Sequence, residues 1–373
     1  MKDRVSTATI AAGGEDARRA GHTLSTLAVH GAVRLPAVEV DTYNAELREA
    51  EGFVGDRASR RAFCAILDDW RTRLREATGG DPLGSTPSRG FGKKKLGRLL
   101  ARGDAGAAGA VFGAVEDFAQ ELAAVVRRFL RLEEWRGTQR IAVGGGFRGG
   151  RIGELAIARA AAVLLAEGRG VELRPIGHHP DEAGLLGCAH LAPRWMFAGH
   201  DAVLAVDIGG TNLRAGVVAL GAGGRLAGAR VWRSELWRHA DEARGREEAV
   251  ERLGSALRGL ARGARKAGLR LAPFVGVGCP GLIAPDGAIE RGGHNLPGGD
   301  WEGRGFSLPE RLRDALPAMD GHEAAVVVHN DAVVQGLSEI PAMRDVERWG
   351  VLTIGTGFGN ARFTNRAARG RPE

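Results

Sequence analysis

Two glycine–threonine clusters, each standing directly behind a short apolar run, constrain this chain more than any other feature. Asp207-Ile208-Gly209-Gly210-Thr211-Asn212-Leu213-Arg214 follows the apolar run 202–207, and Gly355-Thr356-Gly357-Phe358-Gly359-Asn360 follows 350–354. Glycines at a strand end permit positive φ and let backbone N–H groups face a phosphate. Thr211 adds a hydroxyl donor, and Asp207 can hold a magnesium ion through water. A plain hairpin turn needs only two permissive residues, so the first cluster carries more than a turn requires. The second is weaker alone: a GxGxG run also matches part of a dinucleotide fingerprint, although no long helical pattern follows it.

The chain of 373 residues, 44% hydrophobic and 26% charged, has the composition of a globular protein and is long enough for two lobes around a cleft. No apolar run reaches the roughly 18 residues of a membrane span, and 1–14 lacks an apolar core for a signal peptide. The expectation is a cytoplasmic protein with no membrane partner. Cys64, Cys188 and Cys279 form no CxxC pair, so free thiols are expected in place of a disulfide framework or zinc site. The net charge of +7 is spread over scattered arginines, which reads as solvated surface, with no nucleic-acid partner expected. One compact basic run, Lys93-Lys94-Lys95, precedes an amphipathic stretch and fits either a solvated helix start or a phosphate contact.

Helical spacing runs through Phe63, Ile66, Trp70 and Leu74 within 41–78, then through 95–102 and 110–132. An α/β alternation follows: strand 141–143 ending in Gly144-Gly145-Gly146, helix 151–167 and strand 171–176. A second α/β stretch has a hairpin at 202–207 and 214–220, a strand at 229–237 and a charged helix at 246–268. Strands at 274–278, 324–328 and 350–354 each end in glycine or a polar cluster. In α/β folds such ends are where ligands bind.

Between the glycine clusters lies His329-Asn330-Asp331, after one strand and before the helical stretch 332–337. A carboxylate there can accept the proton of an attacking hydroxyl; Asn and Asp are equally good helix N-caps. Gly278-Cys279-Pro280-Gly281 and the loop from His294 to Trp301 fit a substrate wall as well as ordinary turns. His178-His179 with Asp181 and Glu182 lacks the spacing of a metal site.

The order DIGGTNLRAGVV, GVGCPG, NLPGGDW, HNDA, TIGTGFGN, spanning most of 201–360, resembles the ROK family of sugar kinases and sugar-responsive repressors. The resemblance implies an α/β, two-lobed actin-like (ribonuclease H-like) ATPase fold. It implies a first phosphate motif at Asp207, Gly209, Gly210, Thr211, Asn212 and Arg214, and a second at Gly355, Thr356, Gly357 and Gly359. Asp331 is the implied catalytic base, and Asn295 and Asn330 the sugar-hydroxyl ligands. ATP and magnesium are the implied cofactors, a sugar the substrate and a homodimer the assembly.

An ordinary ROK chain continues past the second phosphate loop, whereas here the missing portion resembles the beginning. Helices from 96 to 132 precede IAVGGGFRGGRIGEL, which resembles the adenosine loop and carries Gly144, Gly145 and Gly146. PDEAGLLGCAHLA then resembles the closing helix. The order implies a circular permutation, with 193–201 joining the usual free ends. Residues 1–183 with 331–373 are expected to form a large lobe and 184–330 a small one. The family's clustered cysteines are absent, Gly21-His22 lacks an upstream glutamate, and 41–78 has no counterpart; acidic hydroxyl ligands are expected from 41–56. A glucokinase-like activity is the leading expectation, a non-catalytic sugar-sensing regulator the alternative, and a sugar-independent actin-like ATPase a third reading.

Overall fold

The computed structural model describes residues 29–50, 52–242, 245–293, 296–303, 305–319 and 321–366. In chain order the strands are β1 (Val38–Tyr43), β2 (Arg48–Glu49), β3 (Gly52–Phe53), β4 (Arg140–Gly144), β5 (Glu172–Pro175), β6 (Ala202–Ile208) and β7 (Leu213–Gly221). They continue as β8 (Arg225–Trp237), β9 (Leu271–Cys279), β10 (Leu282–Ile283), β11 (Ile289–Arg291), β12 (Ala325–Asn330), β13 (Arg348–Ile354) and β14 (Phe358–Asn365). The α-helices are α1 (Arg60–Thr78), α2 (Lys93–Arg102), α3 (Ala105–Phe129), α4 (Arg151–Ala166), α5 (Ala183–Cys188), α6 (Arg246–Lys266), α7 (Leu308–Asp314) and α8 (Asp331–Leu337).

Two five-stranded mixed sheets dominate, ordered β1-β14-β13-β4-β5 and β12-β9-β6-β7-β8. They share one plan. In the second, β6 is central, β7 and β8 run antiparallel on one side, and β9 and β12 run parallel on the other. In the first, β13 takes the place of β6, β14 and β1 the antiparallel places, and β4 and β5 the parallel ones. The second sheet uses its strands in the cyclic order central, antiparallel, antiparallel, parallel, parallel. The first takes its third strand, β1, from near the start of the chain. Arg366 N–H donates to Ala37 O at 3.0 Å, so the end of β14 and the start of β1 lie together.

Alternation along each strand builds a layered core. Val40, Val351 and Phe363 face inward from the first sheet, as do Val203, Ala205 and Phe274 from the second, and α5 and α8 fill the space between. On the first sheet's outer face Ile141, Val143, Leu352 and Ile354 meet α1, α3 and α4. On the second's outer face Leu204, Val206 and Val275 meet α6 and α7. Gly187 of α5 packs directly on the Val334 carbonyl of α8 and Gly276 on Cys188; any side chain at either glycine would overlap backbone.

The helical spacing expected within 41–78 belongs to Arg60–Thr78 alone, and 38–43 is instead the strand β1, unmarked in the sequence because V-E-V-D-T-Y is short and its inward valines look like scattered apolar residues. The strand exists because β14 offers it an edge. Residues 358–365 likewise form a strand, in keeping with the absence of a Rossmann helix there. Lys93 to Lys95, expected just ahead of a helix, form its first turn.

The loop between α1 and α2 is tied by one buried side chain. Arg71, with its side chain 7% exposed, donates to both Asp81 oxygens at 3.0–3.2 Å, to Ser88 Oγ at 3.0 Å and to Gly84 O at 2.8 Å. Arg71→Leu keeps the hydrophobic stem but strands these acceptors. Fold stability is expected to fall by about 1–3 kcal/mol, read as a lower urea midpoint; an unchanged midpoint would show that the loop is held by packing alone.

Candidate active site

The C-terminal ends of the parallel strands of both sheets converge on one cavity of about 890 Å³. Register explains the convergence: Asp207 pairs with Gly278, Asn330 with Cys279, and Thr353 with Gly144, so each sheet ends its parallel strands on a common line. The two glycine–threonine loops meet there. Thr211 Oγ1 and Thr356 Oγ1 are 2.6 Å apart, and Gly209, Gly210, Thr211, Asn212, Gly355, Thr356, Gly357 and Gly359 all line the cavity.

The first loop closes on itself and is held from behind by residues outside any glycine motif. Gly209 N–H donates to Asn212 O at 2.8 Å, His239 Nε2 lies 2.8 Å from Gly209 O, and Ala240 N–H donates to Thr211 O at 3.3 Å. His239 follows β8, and a lone histidine after a strand gives no sequence signal of this part. The second loop is tied to the helical wall, where Arg60 N–H at the head of α1 donates to Gly355 O at 3.3 Å.

Asp207, at the end of β6, is 3% exposed. Burial raises its pKa, and the charge and hydrogen bond of Arg214 oppose the rise. Arg214 stands opposite Asp207 on β7, so both side chains share a face. Its Nη1 is 3.3 Å from Asp207 Oδ2 and its Nη2 is 2.5 Å from Asp181 Oδ1, joining the second sheet's hairpin to the loop after β5. Asp207 Oδ1 and Asn212 Oδ1 are buried without a hydrogen-bond partner, and an orphaned carboxylate oxygen at a cavity wall suits a hard cation or its water shell. Among the described residues no group of three or more His, Cys, Asp or Glu could hold a metal by itself. In the His178-His179 region, His179 Nδ1 accepts from Asp181 N–H.

Asp331 opens α8 and faces the cavity. Its pKa is pushed up to about 7, first by desolvation and then by the nearby Asp207 charge, against the pull of a hydrogen bond from Ala332 N–H. Cap and candidate base are therefore different residues. Asn330, 2% exposed, caps the helix by accepting from Ala332 N–H at 2.9 Å and Val333 N–H at 3.3 Å. Its Nδ2 donates to Gly281 O at 2.9 Å, so most of the amide expected to meet a sugar is engaged in the framework.

Gly144-Gly145-Gly146 divides similarly. Gly145, at φ 83°, and Gly146 line the cavity, and a side chain at Gly145 would overlap the Ile354 backbone. Gly144 does not line it: the glycine packs on Ile176 behind the loop, which gives it a framework reason to lack a side chain. Asn295 lies outside the described residues. Further along the loop, Trp301 Nε1–H donates to Pro297 O at 2.6 Å. Within the acidic stretch, Asp41 accepts from Arg362 Nη1 at 2.6 Å, whereas Asn44 and Glu46 line the cavity along with Pro280, Gly281 and Gly292. Asn44 adopts a left-handed φ of 52°, fixed by its N–H to Asn360 O and by two hydrogen bonds between Asn360 and Ala45. Cys188 and Cys279 are buried free thiols, and Cys64 is partly exposed.

No family model matches the sequence, and neither does any curated protein. Among solved structures the chain is similar to Lmo2764 from Listeria monocytogenes, described as a candidate N-acetylmannosamine kinase, at 24% identity and a TM-score of 0.31 over 44% of this chain and 47% of that one. It is also similar to a candidate sugar kinase from Cytophaga hutchinsonii, at 21% identity and a TM-score of 0.32 over 44% and 48%. The matched region spans about half the length of each. No helix among the described residues is long and apolar enough to cross a membrane.

Proposed function

We propose that this protein is an ATP-dependent sugar kinase of the ROK type, moving the γ-phosphate of ATP to a sugar hydroxyl on a circularly permuted actin-like frame. The observation that carries the reading is the contact between Thr211 and Thr356, which makes two sequence-remote glycine loops one wall of a cavity that also holds Asp207 and Asp331. The common plan of the two sheets, with β1 supplied from the start of the chain, supports the permuted frame. Strand membership also supports a large lobe of 1–183 with 331–373 and a small lobe of 184–330.

In this reading backbone N–H groups of Gly210–Asn212 and Thr356–Gly357 receive the phosphates, while Gly209 N–H and Gly355 N–H close their own loops on Asn212 O and Gly357 O, and the threonine hydroxyls are further donors. Asp207, through its unpartnered Oδ1, would hold Mg²⁺ by way of water, and the ion would supply positive charge against the phosphates. Arg214 holds the Asp207 carboxylate in place through their ion pair. Asp331 takes the proton of the attacking hydroxyl, a role its pKa of about 7 suits. The acceptor lies toward Pro280, Gly281, Gly292, Asn44 and Glu46, which line the cavity together. The protein acts in the cytoplasm as a homodimer, without nucleic acid.

Incubation with radiolabelled ATP and a panel of hexoses and N-acetylhexosamines tests the reading. Transfer of label to at least one sugar is expected. Release of label as inorganic phosphate at the same rate with and without any sugar would leave only an ATPase.

A further inference from the structure

The lysine run at the head of α2 remains outside the roles given so far, and its three members have different surroundings. Lys95 Nζ lies over the Phe91 ring, 4.6 Å from its centroid. Only Lys93 of the three lines the cavity. Its Nζ donates to Gly146 O at 2.8 Å, the carbonyl of the glycine loop that follows β4.

The slot for this side chain is built from the opposite wall. A side chain at Gly149 would come 2.9 Å from Lys93 Nζ, and one at Gly150 would come 3.3 Å from Lys93 Cβ, so two successive glycines leave the lysine its path. From behind, buried Phe91 and the Arg71 ties to Asp81, Gly84 and Ser88 fix the segment that delivers it. The charges facing Lys93 are Asp181, which is already paired with Arg214, and the cations Arg60 and Arg214. Burial and those two arginines lower the lysine's pKa, so its ammonium gains from an added anion.

We infer that Lys93 is a phosphate-binding residue of the nucleotide site, releasing the Gly146 carbonyl to meet the inner phosphates of the bound nucleotide from the helical wall. The inference rests on the kinase reading above and adds to it a contact from a helical segment that belongs to neither glycine loop. A phosphate oxygen is a stronger acceptor than a neutral carbonyl, and an ammonium on a flexible stem reaches it without backbone movement. Because the inner phosphates are held alike before and during transfer, the contact contributes to binding more than to the chemical step.

Titration calorimetry of Mg-ATP, Mg-ADP and adenosine against the unaltered chain, Lys93→Met, Lys93→Arg and the neighbour control Lys94→Met tests this, together with steady-state kinetics. Lys93→Met is expected to bind ATP and ADP about 10- to 100-fold more weakly. Adenosine affinity should not change, kcat should stay within about twofold, Lys93→Arg should recover most of the loss, and Lys94→Met should match the unaltered chain. Three results overturn the inference. Lys93→Met can bind both nucleotides as the unaltered chain does; it can lose adenosine equally, which would make the lysine a support of the wall; or its loss can appear wholly in kcat. If the unaltered chain binds nucleotide and transfers phosphate while Lys93→Met is unaffected, only the lysine's role falls; if it binds no nucleotide, the kinase reading falls as well.

Discussion

Asp331→Asn is expected to lower phosphoryl transfer by about 10²- to 10⁴-fold while Mg-ATP still binds. The amide is nearly isosteric and can still accept from Ala332 N–H, so the cap at Asn330 and the fold of α8 are kept, but it cannot take up a proton. The pH dependence follows with a fixed sign. The base works deprotonated, and burial beside Asp207 places its pKa at about 7. If the proposed transfer holds, kcat/KM of the unaltered chain should therefore rise about tenfold per pH unit on the acid side and level off above pH 7. The variant's residual rate should lack that limb.

Stability moves the opposite way. A carboxylate whose folded pKa lies above its unfolded value of 3.8 stabilises the fold below that value and loses this contribution as pH rises through about 7. At pH 8 the ligand-free Asp331→Asn variant should melt higher than the parent. A variant that retains full transfer would remove Asp331 from the base role, and one that melts lower at pH 8 would show that its burial carries no penalty.

The parts of this site that the sequence made legible are those where local chemistry and position agree. At Asp207–Arg214 a hairpin tip, two glycines, a hydroxyl and a carboxylate occur together, and β6 and β7 pair through that tip. At 329–331 a strand ends and a helix begins, so the polar cluster sits at a strand end and its last residue, Asp331, reaches the cavity. The sequence could not divide the labour between neighbours. Asn330 and Asp331 look alike as caps, and only three-dimensional packing makes one the buried cap and leaves the other facing the cavity. Gly144 reads like Gly145 and Gly146, yet Ile176 from the next strand is what requires its missing side chain.

What stayed illegible depends on partners distant in sequence. β1 is a strand only because β14, more than 300 residues later, lends it an edge. His239 acts through one backbone carbonyl. Lys93 faces the cavity because Arg71 and Phe91 place its loop and because Gly149 and Gly150 clear its path, none of which shows in a run of three lysines. In each case the residue's type is ordinary and its neighbours are the information.

Two glycines of α5, three residues apart, should separate site chemistry from fold stability. Gly184 packs beneath the Asp207 carboxylate, and a methyl there would lie 2.7 Å from both oxygens. Asp207 ends a central strand and is tied to Arg214, so the backbone has no freedom to yield and the carboxylate must turn away from its place. Gly184→Ala is thus expected to cut transfer at least about tenfold and to raise the magnesium concentration needed for half activity, because a small misplacement of a charge-holding group has a large kinetic effect. Gly187 instead packs on the Val334 carbonyl, and a methyl there must push α5 and α8 apart. Overpacking of that kind costs about 1–3 kcal/mol or more, so Gly187→Ala should lower the melting midpoint by several degrees. Its magnesium dependence should remain normal in the folded fraction. Unchanged activity and magnesium dependence in Gly184→Ala, with the variant folded, would show that the Asp207 carboxylate does not act where the phosphates are held.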